Sequence, residues 1–130
     1  MDILFSLCRI AEIWLTKKQG ESKGLLTGQL SNFFKNQHSQ IIGKDLRKIS
    51  ELCKDKDNRE KYLKRLLDNK QVLNPKSINK LWEFDLILIH VLRNEAGHKS
   101  KSSNVVSARF EELLERVFFG LFYIVETIYR

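Results

Sequence analysis

One short string, Arg93-Asn94-Glu95-Ala96-Gly97-His98, carries the side chains in this chain that are best suited to chemistry. An imidazole takes up and releases protons near neutral pH, and a guanidinium forms paired hydrogen bonds with phosphate oxygens. Arg93 and His98 therefore fit RNA cleavage by the RNA's own 2′-hydroxyl, a reaction in which negative charge builds up on a phosphate. Asn94 would position a phosphate oxygen or orient His98.

The spacing within this string requires a helix to end there. In a continuous helix, residues five positions apart point about 140° away from each other, so Arg93 and His98 would diverge. A glycine in the left-handed conformation terminates a helix, and Gly97 would let His98 turn back to share a pocket with Arg93. Lys99 and Lys101 would then hold flanking phosphates. The alternative is an ordinary helix C-terminus with His98 merely exposed.

The string resembles the Arg-polar-x(3)-His signature of the HEPN superfamily (higher eukaryotes and prokaryotes nucleotide-binding domains), in which the residue after the arginine is commonly Asn, Asp or His. The resemblance covers residues 75–129 well and residues 1–74 only as helical architecture. It implies a single helical domain over residues 1–130 and a metal-independent endoribonuclease. By this resemblance Arg93 and His98 are catalytic and Asn94 assists.

The resemblance also implies partners. HEPN nucleases dimerise so that two motifs face one cleft, as in toxins, abortive-infection proteins and CRISPR-associated effectors, so we expect RNA, a second copy and an antitoxin or regulatory protein as partners. Many HEPN toxins place a tyrosine two residues after the histidine, where a nucleotidyltransferase modifies it; Ser100 stands there in this chain. Some HEPN domains are inactive, and a silent RNA- or protein-binding module of a larger defence assembly is the alternative function.

Other kinds of catalytic site lack their sequence signals. The chain contains no glycine-rich phosphate loop and no His-Glu-x-x-His string. Its two cysteines, Cys8 and Cys53, are far apart and have no neighbour at metal-ligand spacing, which favours reduced thiols in the cytoplasm. We therefore expect no metal and no cofactor.

Four further titratable residues stand outside the catalytic assignment. His90 lies three residues before Arg93 in an apolar run, which is typical of a buried, hydrogen-bonded histidine. Asp85 and Glu95 are candidates to orient an imidazole or to pair with Arg93. His38 lies in a polar connector and should face solvent.

Basic residues concentrate in the middle of the chain. Lys and Arg number 23 against 16 Asp and Glu, and residues 44–80 hold twelve of the basic and six of the acidic residues. Such a region fits a surface that follows RNA phosphates, with Lys61 and Lys64 as contacts, or else the solvated face of helices. Charge alone does not distinguish RNA from DNA or an acidic protein.

Apolar residues recur at helical spacing through most of the chain and predict an all-α bundle of four or five helices. We expect long helices at 3–16, 44–68 (broken), 75–96 and 104–129, and a shorter one within 25–34. Asp57 with Glu60 resembles a capping box, and Asn74-Pro75 is a start signal for the helix that carries Arg93.

The last predicted helix is apolar on more than one side. Such a helix is expected either in the centre of the bundle or against another subunit, and with one motif per chain it predicts a symmetric dimer with both motifs at the interface. Its longest apolar stretch, residues 117–125, is about half of the ~20 residues that a membrane span needs. The start of the sequence lacks a secretory leader, so a cytoplasmic protein is expected.

Overall fold

The computed structural model describes residues 2–21, 25–72, 78–97 and 104–129, and these residues form seven helices without a strand. The all-α prediction is confirmed, although the helices outnumber the expected four or five because two of the long predicted segments are each divided. The helices are α1 (Asp2–Gln19), α2 (Leu26–Asn36), α3 (Gly43–Leu52), α4 (Lys56–Leu67), α5 (Leu81–Gly97), α6 (Asn104–Ala108) and α7 (Phe110–Ile128).

Helix α5 lies at the centre of the bundle and contacts α1, α2, α3, α4 and α7. Every residue from 83 to 92 is buried, because the nearly continuous apolar sequence of this segment offers no side to water. Helix α7 buries only one face, so of the two positions expected for the last helix, the centre of the bundle or a contact with another subunit, the central one is wrong and α5 occupies it. In the described parts of the chain, no helix is both long and apolar enough to cross a membrane.

Helix α5 starts later than predicted. The expected start at 74–75 lies outside the described residues, but residues 78–80 are not helical and the helix begins at Leu81. The carboxylate of Glu83 accepts hydrogen bonds from the backbone N–H groups of Asn79 (2.9 Å) and Lys80 (2.8 Å). These contacts satisfy donors that a helix start leaves unpaired, so Glu83 sets this boundary.

The predicted break within 44–68 falls between α3 and α4. Asp55, and not Asp57, caps α4, because its carboxylate accepts a hydrogen bond from the backbone N–H of Asn58 at 3.0 Å. Arg59 of α4 is buried, and its Nη1 donates to the carbonyl oxygen of Cys53 at 3.0 Å. A cation at the end of α3 satisfies a terminal carbonyl and interacts favourably with the helix dipole.

The predicted helix 104–129 is divided at Arg109, which separates α6 from α7. The Arg109 guanidinium contacts Asp68, which directly follows α4, at 2.9 Å, and it also contacts Glu112 of α7. The break in the last segment therefore lies where an ion pair joins residues about forty positions apart.

Arg116 joins three helices at one point. Its guanidinium forms an ion pair with Asp85 of α5 and donates to the carbonyl oxygens of Leu67 (3.0 Å) and Leu66 (3.3 Å) at the end of α4. Burial raises the pKa of Asp85, and the hydrogen bond and charge of Arg116 act in the opposite direction. The ion pair thereby holds α7 against α5 and the end of α4.

His90 connects α5 to α3. Its Nε2 lies 2.8 Å from Ser50 Oγ and 3.1 Å from the carbonyl oxygen of Leu46. Because a carbonyl only accepts, Nε2 carries the proton, and Nδ1 is buried without a hydrogen-bond partner among the described residues. Burial lowers the pKa of His90 to about 4.

We predict a stability that decreases in mild acid because of His90. An unfolded histidine titrates near pH 6.5, so the unfolded chain binds the extra proton between about pH 6.5 and 4 while the folded chain does not. Through this histidine the free energy of unfolding is highest above pH 7 and falls by roughly 3 kcal/mol by pH 4. Urea unfolding of wild type and His90→Gln at pH 7, 6 and 5 measures it.

The His90→Gln variant should lose part of this slope, while His38→Gln, which alters an exposed histidine, should keep it. Equal slopes for wild type and His90→Gln would show that carboxyl groups alone produce the acid sensitivity.

Candidate active site

Arg93 lies in the last part of α5, whose described residues reach Gly97. The predicted turn of the chain after Gly97 lies outside the described residues. The Nε of Arg93 donates to Oε2 of Glu12 on α1 at 3.2 Å. The Arg93 side chain keeps 34% of its surface exposed and the Glu12 side chain 18%. The arginine is therefore anchored to the first helix and still reaches solvent.

The anchoring atom determines what Arg93 can offer to a ligand. A guanidinium has five N–H donors, and Glu12 engages the one on Nε. The two Nη groups are the donors that form a fork on a carboxylate or phosphate. Among the described residues Glu12 is the only carboxylate paired with Arg93. This geometry suits an arginine that binds an anion through its outer edge.

Cys8 is a possible nucleophile that interacts electrostatically with Arg93, but its environment makes the thiol unreactive. The thiol is buried, and burial raises its pKa to about 12, although the charge of Arg93 acts in the opposite direction. A thiol with this pKa stays protonated at neutral pH and is a poor nucleophile. The same holds for Cys53, whose pKa burial also raises to about 12.

The remaining members of the predicted site lie at or beyond the limit of description. Asn94 belongs to α5, but its side chain is not described, and His98, Lys99 and Lys101 lie outside the described residues. The convergence of Arg93 and His98 on one pocket therefore stays a prediction.

The residues on either side of the motif segment, residues 98–103, are described. Gly97 is the last described residue of α5, and the backbone N–H of Asn104 donates to Oε1 of Glu60 on α4 at 2.7 Å. Glu60 immediately precedes Lys61. The segment that carries His98 thus runs from the Arg93 end of α5 to the basic helix α4.

Lys61 and Lys64 are exposed on α4 and line a shallow groove of about 430 Å³. The groove also contains acidic residues, of which Asp68 is paired with Arg109. The groove therefore places positive charge beside the end of the motif segment, and its acidic residues neutralise part of that charge. The remaining groove residues are Asp57, Glu60, Arg65 and Lys70.

Three of the other sequence assignments have clear outcomes. His90 is buried and hydrogen-bonded on its Nε2, as predicted, and His38 is exposed, as predicted. The pairing of Asp85 with Arg93 is wrong, because Asp85 pairs with Arg116. The side chain of Glu95 is not described.

Sequence reasoning missed Glu12, which takes the role considered for Asp85. Glu12 lies 81 residues before Arg93. Within α1 it follows Ala11 of the buried stripe and reads as an ordinary polar residue at the edge of an amphipathic helix. No local pattern signals such a partner.

Searches of protein-family models, of curated proteins and of solved structures found no match to this chain. The described residues contain no group of three or more His, Cys, Asp and Glu side chains arranged to hold a metal ion. The HEPN resemblance therefore stands on the 93–98 string and the helical architecture.

We predict that the Glu12–Arg93 pair contributes more to stability than a surface ion pair. Replacing Glu12 with Gln should lower the free energy of unfolding by about 1 kcal/mol, because both partners are partly shielded from water. The matched control is Glu51→Gln, which removes the exposed pair with Lys54 and should change stability by less than about 0.5 kcal/mol. Urea unfolding at pH 7 compares them, and equal effects would contradict the prediction.

Proposed function

We propose that this protein is a metal-independent endoribonuclease of the HEPN type. The observation that carries the proposal is Arg93, which is paired through Nε with Glu12 near the end of the central helix and keeps 34% of its side chain exposed. The described part of helix α5 reaches Gly97, one residue before His98, and the motif requires the chain to turn after this glycine. The proposed substrate is RNA.

In the proposed reaction His98 takes the proton from a 2′-hydroxyl, and the resulting oxygen attacks the adjacent phosphorus. The bond from phosphorus to the 5′-oxygen breaks, and the imidazolium returns the proton to that oxygen. Arg93 stabilises the additional negative charge on the phosphate, and Asn94 positions a phosphate oxygen or His98. The products are a 2′,3′-cyclic phosphate and a 5′-hydroxyl end.

Lys99 and Lys101 are proposed to hold the phosphates next to the cleavage site. Lys61 and Lys64 extend this contact along α4, because Asn104 at the end of the motif segment is bound to α4 beside Lys61. RNA would then run from Arg93 toward the groove on α4.

An inactive RNA- or protein-binding module is the second candidate, and one observation favours it. Arg93 is already paired with Glu12, and a neighbouring carboxylate reduces the attraction of a guanidinium for a phosphate. In that case the same surface would bind RNA without cutting it.

The cellular setting belongs to the same proposal. We place the protein in the cytoplasm, as a homodimer that acts as a toxin or antiphage effector. Uncontrolled RNA cleavage would harm the cell that makes it, so an antitoxin or other regulatory protein is proposed as a further partner.

The proposal predicts which substitutions abolish cleavage. Loss of a placed imidazole typically lowers a rate by about 10²–10⁴ and loss of a charge-stabilising donor by about 10²–10³, so His98→Ala and Arg93→Ala should each nearly abolish activity, and Asn94→Ala should reduce it less. Cleavage is measured by incubating each purified protein with total RNA in the presence of EDTA. RNA without the 2′-hydroxyl at the cut site should not be cleaved.

Matched controls are His38→Ala and Arg47→Ala, which remove an exposed histidine before α3 and an exposed arginine on α3 and should retain activity. Circular dichroism confirms that each variant is folded. The nuclease proposal fails if wild type cuts no RNA under any condition or if cutting survives both motif substitutions; retained RNA binding without cutting would favour the second candidate.

A separate prediction concerns the groove on α4. On the His98→Ala background, which prevents cleavage, Lys61→Glu with Lys64→Glu should weaken RNA binding and reduce the salt dependence by about 0.7 per lost contact. Binding is measured from 50 to 200 mM salt. Lys80→Glu, an equal charge change per site on an exposed residue at the start of α5, is the control. Unchanged binding in the α4 variant would mean that Lys61 and Lys64 serve solvation only.

A further inference from the structure

The outer side of α7 carries an apolar stripe that water reaches. Phe118, Phe122, Val125 and Tyr129 follow one another at intervals of four, three and four residues, which places them on one side of the helix. Phe118, Phe122 and Tyr129 are exposed, and the rings of Phe118 and Phe122 stack with centroids 6.3 Å apart. This stripe lies about 160° around the helix from Gly120, which packs against α5.

Helix α1 has a corresponding second stripe. Ile3, Leu7, Ile10 and Trp14 repeat at the same intervals of four, three and four residues. Ile3 is exposed and the other three are half-buried, while a different set of α1 residues fills the core. Helix α1 therefore has more apolar surface than the single chain buries. Its core stripe consists of Leu4, Cys8, Ala11 and Leu15.

The two stripes are adjacent on the surface. A groove of about 230 Å³ between the helices is lined by Trp14 and Lys17 of α1 and by Val125 and Tyr129 of α7. The hydroxyl of Tyr129 donates to the carbonyl oxygen of Trp14 at 2.8 Å. Together the stripes form one surface, the α1–α7 face.

We propose that the α1–α7 face binds the same face of a second copy of this chain. The charges around it are self-complementary: among the described side chains, the exposed charged residues of α1 are all basic and those of α7 are all acidic. A two-fold axis that sets α1 of one copy against α7 of the other aligns opposite charges twice. The charged residues within about 50° of the two stripes are Lys17 and Lys18 on α1 and Glu111 and Glu115 on α7.

The exposed area suits this occupant. Phe118, Phe122 and Tyr129 are 39%, 63% and 45% exposed, which amounts to about 300 Å² if a whole aromatic side chain offers about 200 Å². One partner of a typical stable complex buries about 800 Å². Three aromatic residues supply more than a third of this, and Ile3 and the half-buried α1 residues add to it. Aromatic anchors of this kind commonly dominate binding energy.

The Arg93 site lies outside this interface. Glu12, its partner on α1, is two positions from Ile10 and thus about 160° around the helix from it. The proposed contact therefore uses a different face from the shared-cleft contact that the resemblance implies, and it leaves Arg93 exposed to solvent. The inference does not depend on ribonuclease activity.

The test measures association of the full chain by light scattering and sedimentation. Wild type at micromolar concentration should have about twice the 15.3 kDa of the monomer. Combining Phe118→Gln with Phe122→Gln should raise the dissociation constant at least about 30-fold, while circular dichroism and thermal unfolding show that the variant remains helical. Arg93→Ala should remain a dimer.

The matched control is Ile42→Gln. Ile42 is 56% exposed directly before α3, a helix that packs on α2 and α5, so its substitution should change the dissociation constant less than about threefold. The proposal is overturned if wild type is a monomer, if the double variant associates as tightly as wild type, if Ile42→Gln weakens association equally, or if Arg93→Ala dissociates the dimer. A helical double variant that is monomeric supports it.

Discussion

The contact of Arg116 with Asp85 and with the end of α4 is the constraint on which much of this bundle depends. A buried carboxylate and a buried guanidinium are tolerated only when each satisfies the other, and removal of one partner typically costs about 3–5 kcal/mol. Here the guanidinium also satisfies the terminal carbonyls of Leu66 and Leu67. Because Arg116 must point inward at α5, the rotation of α7 about its own axis is fixed. Phe118 and Phe122 then point outward, and the α1–α7 face follows from this ion pair.

Polar residues along α5 position this central helix against its neighbours. Glu83 binds the backbone before the helix and the hydroxyl of Ser39, His90 binds α3, and Arg93 binds Glu12 of α1. Apolar packing is insensitive to direction, whereas a hydrogen bond requires a particular partner at a particular distance. These contacts determine how α5 is rotated, and they place Arg93 where α1 and solvent meet. Site geometry and fold stability therefore share the same side chains.

The candidate site and the proposed dimer surface lie on different sides of α1. Glu12 faces Arg93, whereas Ile10 and Trp14 belong to the apolar face. One helix thus separates the polar side of the bundle that carries Arg93 from the apolar side that we propose for association. Under this arrangement association would leave the Arg93 end of α5 and the groove at Lys61 open to a long polyanion such as RNA.

The sequence by itself determined the helical class, the buried state of His90 and the 93–98 string, because helical periodicity and residue chemistry are local properties. It also showed that the last helix has more apolar surface than one core-facing side requires. Tertiary structure decided that Glu83 rather than Asn74-Pro75 sets the described start of α5, that Arg109 divides the last segment, and that Asp85 pairs with Arg116 while Glu12 pairs with Arg93. Each of these rests on a side chain that meets a partner on another segment, and most of these partners lie tens of residues away, a distance over which no sequence periodicity carries information.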